Sequence, residues 1–190
     1  MINFKILVYG AKSQSKIILN MIKNNEVFYA NKKIKNKKIC LLADPWLKKP
    51  SFKTKIPFVF QKSYFKKSLN KTNSFLVGIG GGNGKARFLV SKELIKKNLK
   101  PLSLIHKSSY IDKTSFLGTG IQIMPNAVVH SYSKIGDYCI LNTSSTVDHD
   151  CEIGNGVHIM GNAYVAGNVK IEDYVTIGSN ATIFPNLKIS

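Results

Sequence analysis

From Ile105 onward every sixth residue is aliphatic: Ile105, Ile111, Leu117, Ile123, Val129, Ile135, Leu141, Val147, Ile153, Ile159, Val165, Ile171, Ile177, Ile183 and Ile189. Ordinary aliphatic frequencies do not produce such a run by chance. Four residues after each mark the side chain is small or aliphatic, as at Ser133, Cys139, Ser145, Cys151, Val157 and Ala163. A period of six fits neither a helix, with its 3.6-residue turn, nor a strand alternating every two. It fits a solenoid with one flat side per hexad and three sides per coil, a parallel β-helix whose marked residues point inward. Asn126, Asn155, Asn162, Asn168, Asn180 and Asn186 suit tight corners where φ is positive. Each coil buries its core only against its neighbours. The sequence stops at Ser190 in mid-coil, and an open strand edge invites unwanted pairing, so a C-terminal truncation is expected.

The first half reads differently. Residues 4–9 have the composition of a buried strand and lead into Gly10-Ala11-Lys12-Ser13-Gln14-Ser15, then a helical pattern over 16–22. A second strand, 39–44, ends in Asp44; a third, 75–80, runs into Gly81-Gly82-Asn83-Gly84 and a helix to about Lys97. Strand, glycine turn and helix in alternation predict a small parallel α/β domain with ligands at the carboxyl ends of its strands. The first turn lacks the later glycines of a dinucleotide fingerprint, and the second glycine run matches no phosphate loop and has a flexible connection as its other reading. Asp44 fits either a ribose- or base-binding acid or a turn residue before Pro45.

Charge divides the chain at the same place. Residues 1–104 carry 23 Lys and Arg against 3 Asp and Glu, whereas residues 105–190 carry 5 against 7. The expected domains are therefore 1–104 and 105–190. The basic excess is almost entirely lysine, Arg87 being the lone arginine, and is scattered among Asn and Ile. That distribution speaks against a nucleic-acid track, which leans on arginine and aromatic platforms. No run of about 18 apolar residues is present, so no membrane span is expected. Three cysteines, Cys40, Cys139 and Cys151, fit free thiols of a reducing cytoplasm.

The densest chemistry is Asn142-Thr143-Ser144-Ser145-Thr146-Val147-Asp148-His149-Asp150-Cys151, followed by His158. A histidine between carboxylates is held in one tautomer and made more basic, as a general base requires. The same residues also fit a solvated corner. His149 and His158 are half a coil apart, on different sides of one prism, so they can share a site only across a subunit interface. His106 reads as structural and His130 as a surface residue. A zinc hydratase on this fold needs two histidines a few residues apart, which are missing, so no metal is expected.

The segment 140–154 resembles the sugar acetyltransferases of the sialic-acid O-acetyltransferase family, which includes bacterial N-acetyltransferases of nucleotide-linked 4-amino sugars. The pattern Asn-Thr-x-x-x-x-[Asp/Glu]-His-[Asp/Glu]-Cys at 142–151 and Val165-Ala166-Gly167-Asn168-Val169 carry the likeness. It implies an α/β Rossmann-like N-terminal domain followed by a left-handed parallel β-helix of hexapeptide repeats. It also implies acetyl-CoA as donor, direct acetyl transfer in surface-glycan synthesis, and a homotrimer with sites between subunits. His149 resembles the catalytic base and Asp150 the acid that raises its basicity. His158, Gly167 and Ser179 fall at coenzyme positions, with the Gly167 N–H at the thioester carbonyl. Lys12, Ser13, Gln14, Asp44, Gly80 and Asn142 fall where the sugar or its nucleotide binds. The family has a histidine where Gln14 stands, and it continues for more coils past position 190, from which weak coenzyme binding is expected here. O-acetylation of a sialic-acid-like sugar is the alternative chemistry; a non-catalytic binding or assembly solenoid is the alternative class.

Overall fold

The computed structural model describes residues 6–24, 27–29, 32–33, 40–70 and 72–190. The first half comprises β1 (Ile6–Tyr9), α1 (Ser13–Lys23), β2 (Val27–Tyr29), β3 (Lys32–Lys33), β4 (Cys40–Ala43), β5 (Phe58–Val59), α2 (Lys62–Leu69), β6 (Ser74–Val77), α3 (Gly84–Ile95) and β7 (Lys100–Pro101). The expected strands and helices are present. Phe4, Lys5 and Ile39, included in the expected strands, lie outside the described residues. Five strands form a parallel sheet in the order β5-β4-β1-β6-β7, with Ile6 opposite Cys40 and Ser74. Side chains alternate across it. Ile6, Val8, Leu42 and Leu76 face Ile18, Leu19 and Met21 of α1, whereas Leu7, Leu41, Ala43, Phe75 and Val77 pack with Leu94 and Leu99.

The second half opens with β8 (Leu104–His106) and continues as two-residue strands at every sixth position to Ile189. They stack in parallel at intervals of one coil, as in Gln122↔Ile140 and Ile123↔Leu141, and build three sheets. This is a β-helix of hexapeptide repeats, consistent with the expected left-handed kind. The marked aliphatic residues from Ile123 to Ile177 form one buried core with the small residues between them, including Cys139 and Cys151.

Corners repeat as faithfully as the core. Gly120, Asn126, Tyr132, Tyr138, Ser144, Asp150, Gly156, Asn162, Asn168, Tyr174, Asn180 and Asn186 all have φ between 56° and 69°. Five of the six expected asparagines are in this series. Asn155 is not, because Gly156 takes the left-handed position there; Asn155 instead caps the Asp137 N–H at 2.9 Å through Oδ1.

The halves share a core. Leu104, Met124 and Ile140, on the outer side of one solenoid sheet, are buried with Ile6, Val8 and Leu42. β2 pairs antiparallel with β8, so a hairpin from the first half extends that sheet. The glycine run at 80–84 is a close approach instead of a flexible connection: a methyl group on Gly84 would lie 2.1 Å from the Gly156 carbonyl oxygen. Beside it, Arg87 is 1% exposed and donates to the carbonyls of Ile79, Tyr138 and Gly156 at 2.8, 2.7 and 2.8 Å. Burial lowers its pKa to about 10, so it stays charged at neutral pH. Three backbone dipoles do the work a carboxylate would otherwise do.

Arg87→Met keeps the bulk and removes all three donors. Buried carbonyls left unpaired cost about 1–3 kcal/mol each, so the variant is expected to lose at least ~3 kcal/mol. Denaturant unfolding checks this; an unchanged midpoint would contradict the role given to the guanidinium.

Candidate active site

Two separate constellations emerge. The first is the corner after the strand Thr146–Val147. Asp150 takes the left-handed conformation, φ 57°, which Asp tolerates better than most residues. Its Oδ2 lies 2.8 Å from His149 Nδ1, and Asp148 Oδ1 accepts the His149 backbone N–H at 2.8 Å. Asp148 Oδ2 also accepts the Tyr164 hydroxyl. With Nδ1–H donated to Asp150, the lone pair of the exposed His149 ring falls on Nε2, which has no hydrogen-bond partner among the described residues. The hydrogen bond to Asp150 raises the His149 pKa against the opposing effect of desolvation, with the charges of Asp148 and Asp150 adding to the rise.

Gly167 sits one coil on, at the same corner. A methyl group there would lie 2.6 Å from His149 Cε1 and Nε2, so the imidazole rests on bare backbone. Some corner amides are capped by side chains, Thr143 by Asn142, His149 by Asp148 and Asn155 by Asp173, whereas among the described residues those of Ser131, Gly161, Asp173 and Ser179 are not. The residue before Gly167 is Ala166, which has no acceptor. Among the described residues the Gly167 N–H has no hydrogen-bond partner, whereas the flanking Ala166 and Asn168 amides bond Ile183 and His149 carbonyls. An uncapped donor thus lies beside a basic imidazole.

The second constellation is a pocket of about 610 Å³ at the carboxyl ends of β1, β4 and β6, closed by the solenoid. Lys12, Ser13 and Gln14 line it at the amino end of α1, which has no acid in its first turn and no side-chain cap. Such an end suits an anion. Gln14 is buried and donates through Nε2 to Gln122 Oε1 at 2.8 Å, and Gln122 Nε2 donates to the Val77 carbonyl. Asp44 accepts the Ala11 and Trp46 amides at 3.1 and 3.0 Å, so it braces two turns while lining the pocket. Gly80 lines it from the loop after β6, and Asn142 and His158 supply the solenoid side. His158 is buried, which lowers its pKa, and Arg87 adds to the effect. Its Nδ1 is 3.1 Å from the Gly81 carbonyl, a contact that fixes the proton there; Asn142 Nδ2 lies 3.5 Å from Nε2.

All six residues expected around the acceptor line this pocket together. His158, expected with the coenzyme set, stands among them. His149, Asp150 and Gly167 form the other group, and none of them lines the pocket. Ser179 is exposed at a further corner and joins neither. Tyr9, Trp46, Gln122, Asn83 and Arg87 escaped the sequence reading. Gln122 had a signal: the residues before the marks on its side, Leu104, Gln122, Ile140 and His158, carry no formal charge, whereas Lys134, Glu152, Lys170 and Lys188 mark a solvated side. His106 bonds its own turn through Ser108, and His130 lies against Tyr110. Among the described residues no three His, Cys, Asp or Glu side chains could hold a metal, and no helix is long and apolar enough to cross a membrane. Burial raises the Cys139 pKa to about 12, which leaves it a poor nucleophile.

Residues 150–185 match the family model for the bacterial transferase hexapeptide, six repeats. No curated protein matches the chain. Among solved structures, the acetyltransferase domain of PglB from Neisseria gonorrhoeae in complex with acetyl coenzyme A is 24% identical; the match covers 98% of this chain and 84% of that one, with a TM-score of 0.80. PerB from Caulobacter crescentus with CoA and GDP-perosamine is 20% identical, covering 98% and 91%, with a TM-score of 0.73. WeeI from Acinetobacter baumannii is 24% identical, covering 95% and 80%, with a TM-score of 0.79. The chain therefore carries the transferase hexapeptide repeat and, over nearly its whole length, the fold of these proteins.

Asp150→Asn removes the first cause of the raised His149 pKa. An imidazole titration followed by NMR is expected to show His149 ionising at lower pH in the variant; an unmoved titration would contradict the pairing.

Proposed function

We propose that this protein is an acetyl-CoA-dependent acetyltransferase acting on the amine of a nucleotide-linked amino sugar in bacterial surface-glycan synthesis. A hydroxyl of a sialic-acid-like sugar is the second acceptor class. The observation that carries the reading is the corner itself: a carboxylate-held imidazole with a free Nε2 stands over a glycine whose amide has been left uncapped. A base and an oxyanion donor side by side are what acyl transfer needs. The solved relatives support the substrates, since PglB holds acetyl coenzyme A and PerB holds CoA with GDP-perosamine.

In this reading residues 1–104 form a Rossmann-like acceptor domain and residues 105–190 a left-handed β-helix acetyltransferase domain, in a cytoplasmic homotrimer. Lys12 and the amino end of α1 hold the diphosphate, with Ser13, Gln14, Asp44, Gly80 and Asn142 around the rest of the acceptor. Since His149 is not part of the pocket, the base is supplied by a neighbouring subunit. The acceptor amine adds to the thioester carbonyl as His149 Nε2 takes its proton. The Gly167 N–H donates to the carbonyl oxygen as negative charge gathers there. The carbon–sulfur bond then breaks, and coenzyme A leaves as the thiol once it regains a proton. His158 and Ser179 contact the coenzyme, His158 from the pocket side. No covalent intermediate on the protein is needed, in keeping with buried Cys139 and Cys151.

The test is thiol release from acetyl-CoA with UDP- and GDP-linked 4-amino sugars, and with free and CMP-linked sialic acid. Turnover with an amino sugar is expected, falling at least about 100-fold in His149→Ala. His149 must be neutral to act, so activity is expected to fall as pH drops through its raised pKa. That acidic limb should move to lower pH in Asp150→Asn. Silence across the panel from folded protein would favour a non-catalytic solenoid.

A further inference from the structure

Trp46 is the one tryptophan of the chain and is 76% exposed, although it lines the junction pocket. Its polar edges are already committed. The backbone N–H donates to Asp44 Oδ1 at 3.0 Å, and the indole N–H donates to the Tyr9 hydroxyl. Both anchors are themselves fixed: Asp44 is buried and also holds the Ala11 amide, and Tyr9 packs edge-on to Phe65 with ring centroids 5.8 Å apart. The indole is therefore pinned along its edge, and the surface it leaves to solvent at the pocket is aromatic.

The same pocket holds Lys12 and the amino end of α1, uncompensated by any acid in its first turn. A cationic helix end and an anchored aromatic surface in one cavity complement a heterocyclic base joined to a diphosphate. We infer that Trp46 is a stacking platform for the nucleobase, and that it makes the site select nucleoside-diphosphate-linked sugars over free ones. The inference rests on the acceptor reading above and adds the residue that enforces it. Every base has a π-face, so the platform favours a base without choosing among bases.

Because Trp46 is the sole tryptophan, the intrinsic emission of the intact protein reports on this one side chain. Titration with UDP and with GDP is expected to quench it, whereas inorganic pyrophosphate, which lacks a base, is not. By calorimetry, Trp46→Ala is expected to bind the nucleotides about 10- to 100-fold more weakly, the usual worth of one base–aromatic stack. Trp46→Phe should stay within a few-fold of the parent, since a π-face remains. Nucleotide binding by the parent with equal affinity in Trp46→Ala, or equal quenching by pyrophosphate, would overturn the platform and leave the acetyl-transfer reading standing. Failure of the parent to bind either nucleotide would overturn the platform together with the nucleotide-linked acceptor. Thiol release with a free sugar would then show whether acetyl transfer itself survives.

Discussion

The second half of this protein depends on one backbone conformation. At every sixth residue from 120 to 186 the chain turns with φ near +60°, a region that disfavours residues with a Cβ. The turn persists because stacking fastens it. The N–H of each such corner residue from Tyr138 onward bonds a carbonyl on the coil before, as Asp150 does to Ser131 at 3.0 Å and Asn168 to His149 at 2.9 Å. Asparagine, glycine and aspartate fill most corners because they tolerate the conformation best. At one corner that choice is also chemical: Asp150 meets the backbone requirement and presents its carboxylate to His149. The candidate base is thus a by-product of regular coil geometry, sharpened by Asp148 on its other side.

A second constraint fixes the pocket. One solenoid sheet is covered by the α/β sheet, and the seam is held by Arg87, whose guanidinium bonds carbonyls on both sides. Gly84 and Gly156 permit the approach. The same seam brings His158 to the Gly81 carbonyl and Gln14 to Gln122. The seam thereby gives the pocket walls from both halves.

Much of this was legible in the sequence. The hexad period is a one-dimensional repeat, so the β-helix, its inward aliphatics and its corner asparagines could be read directly. The alternation of strands and helices in the first half could be read as well. What sequence spacing could not give was the third dimension of the seam. Arg87 stood out in the sequence only as the lone arginine, and the glycines at 80–84 stayed open between a site and a flexible connection, because their partners lie 51 and more positions away in the chain. Asp44 was ambiguous and turned out to brace two amides. The cluster at 142–158 was visible, but its division between two faces was expressed only as spacing. The uncapped Gly167 amide was readable in principle, since Ala166 stands where Asp148 and Asn142 stand one coil and four hexads earlier.

The central claim is that pocket and base meet between copies of the chain. The direct measurement is acetyl transfer by mixed oligomers of two inactive variants, His149→Ala and Lys12→Glu. Each spoils one face and leaves the other intact. The account predicts that co-assembly restores activity well above either variant alone, from sites pairing an intact pocket with a neighbour's intact His149. Mixed oligomers, verified by differential tags, that remain as inactive as their parents would contradict it.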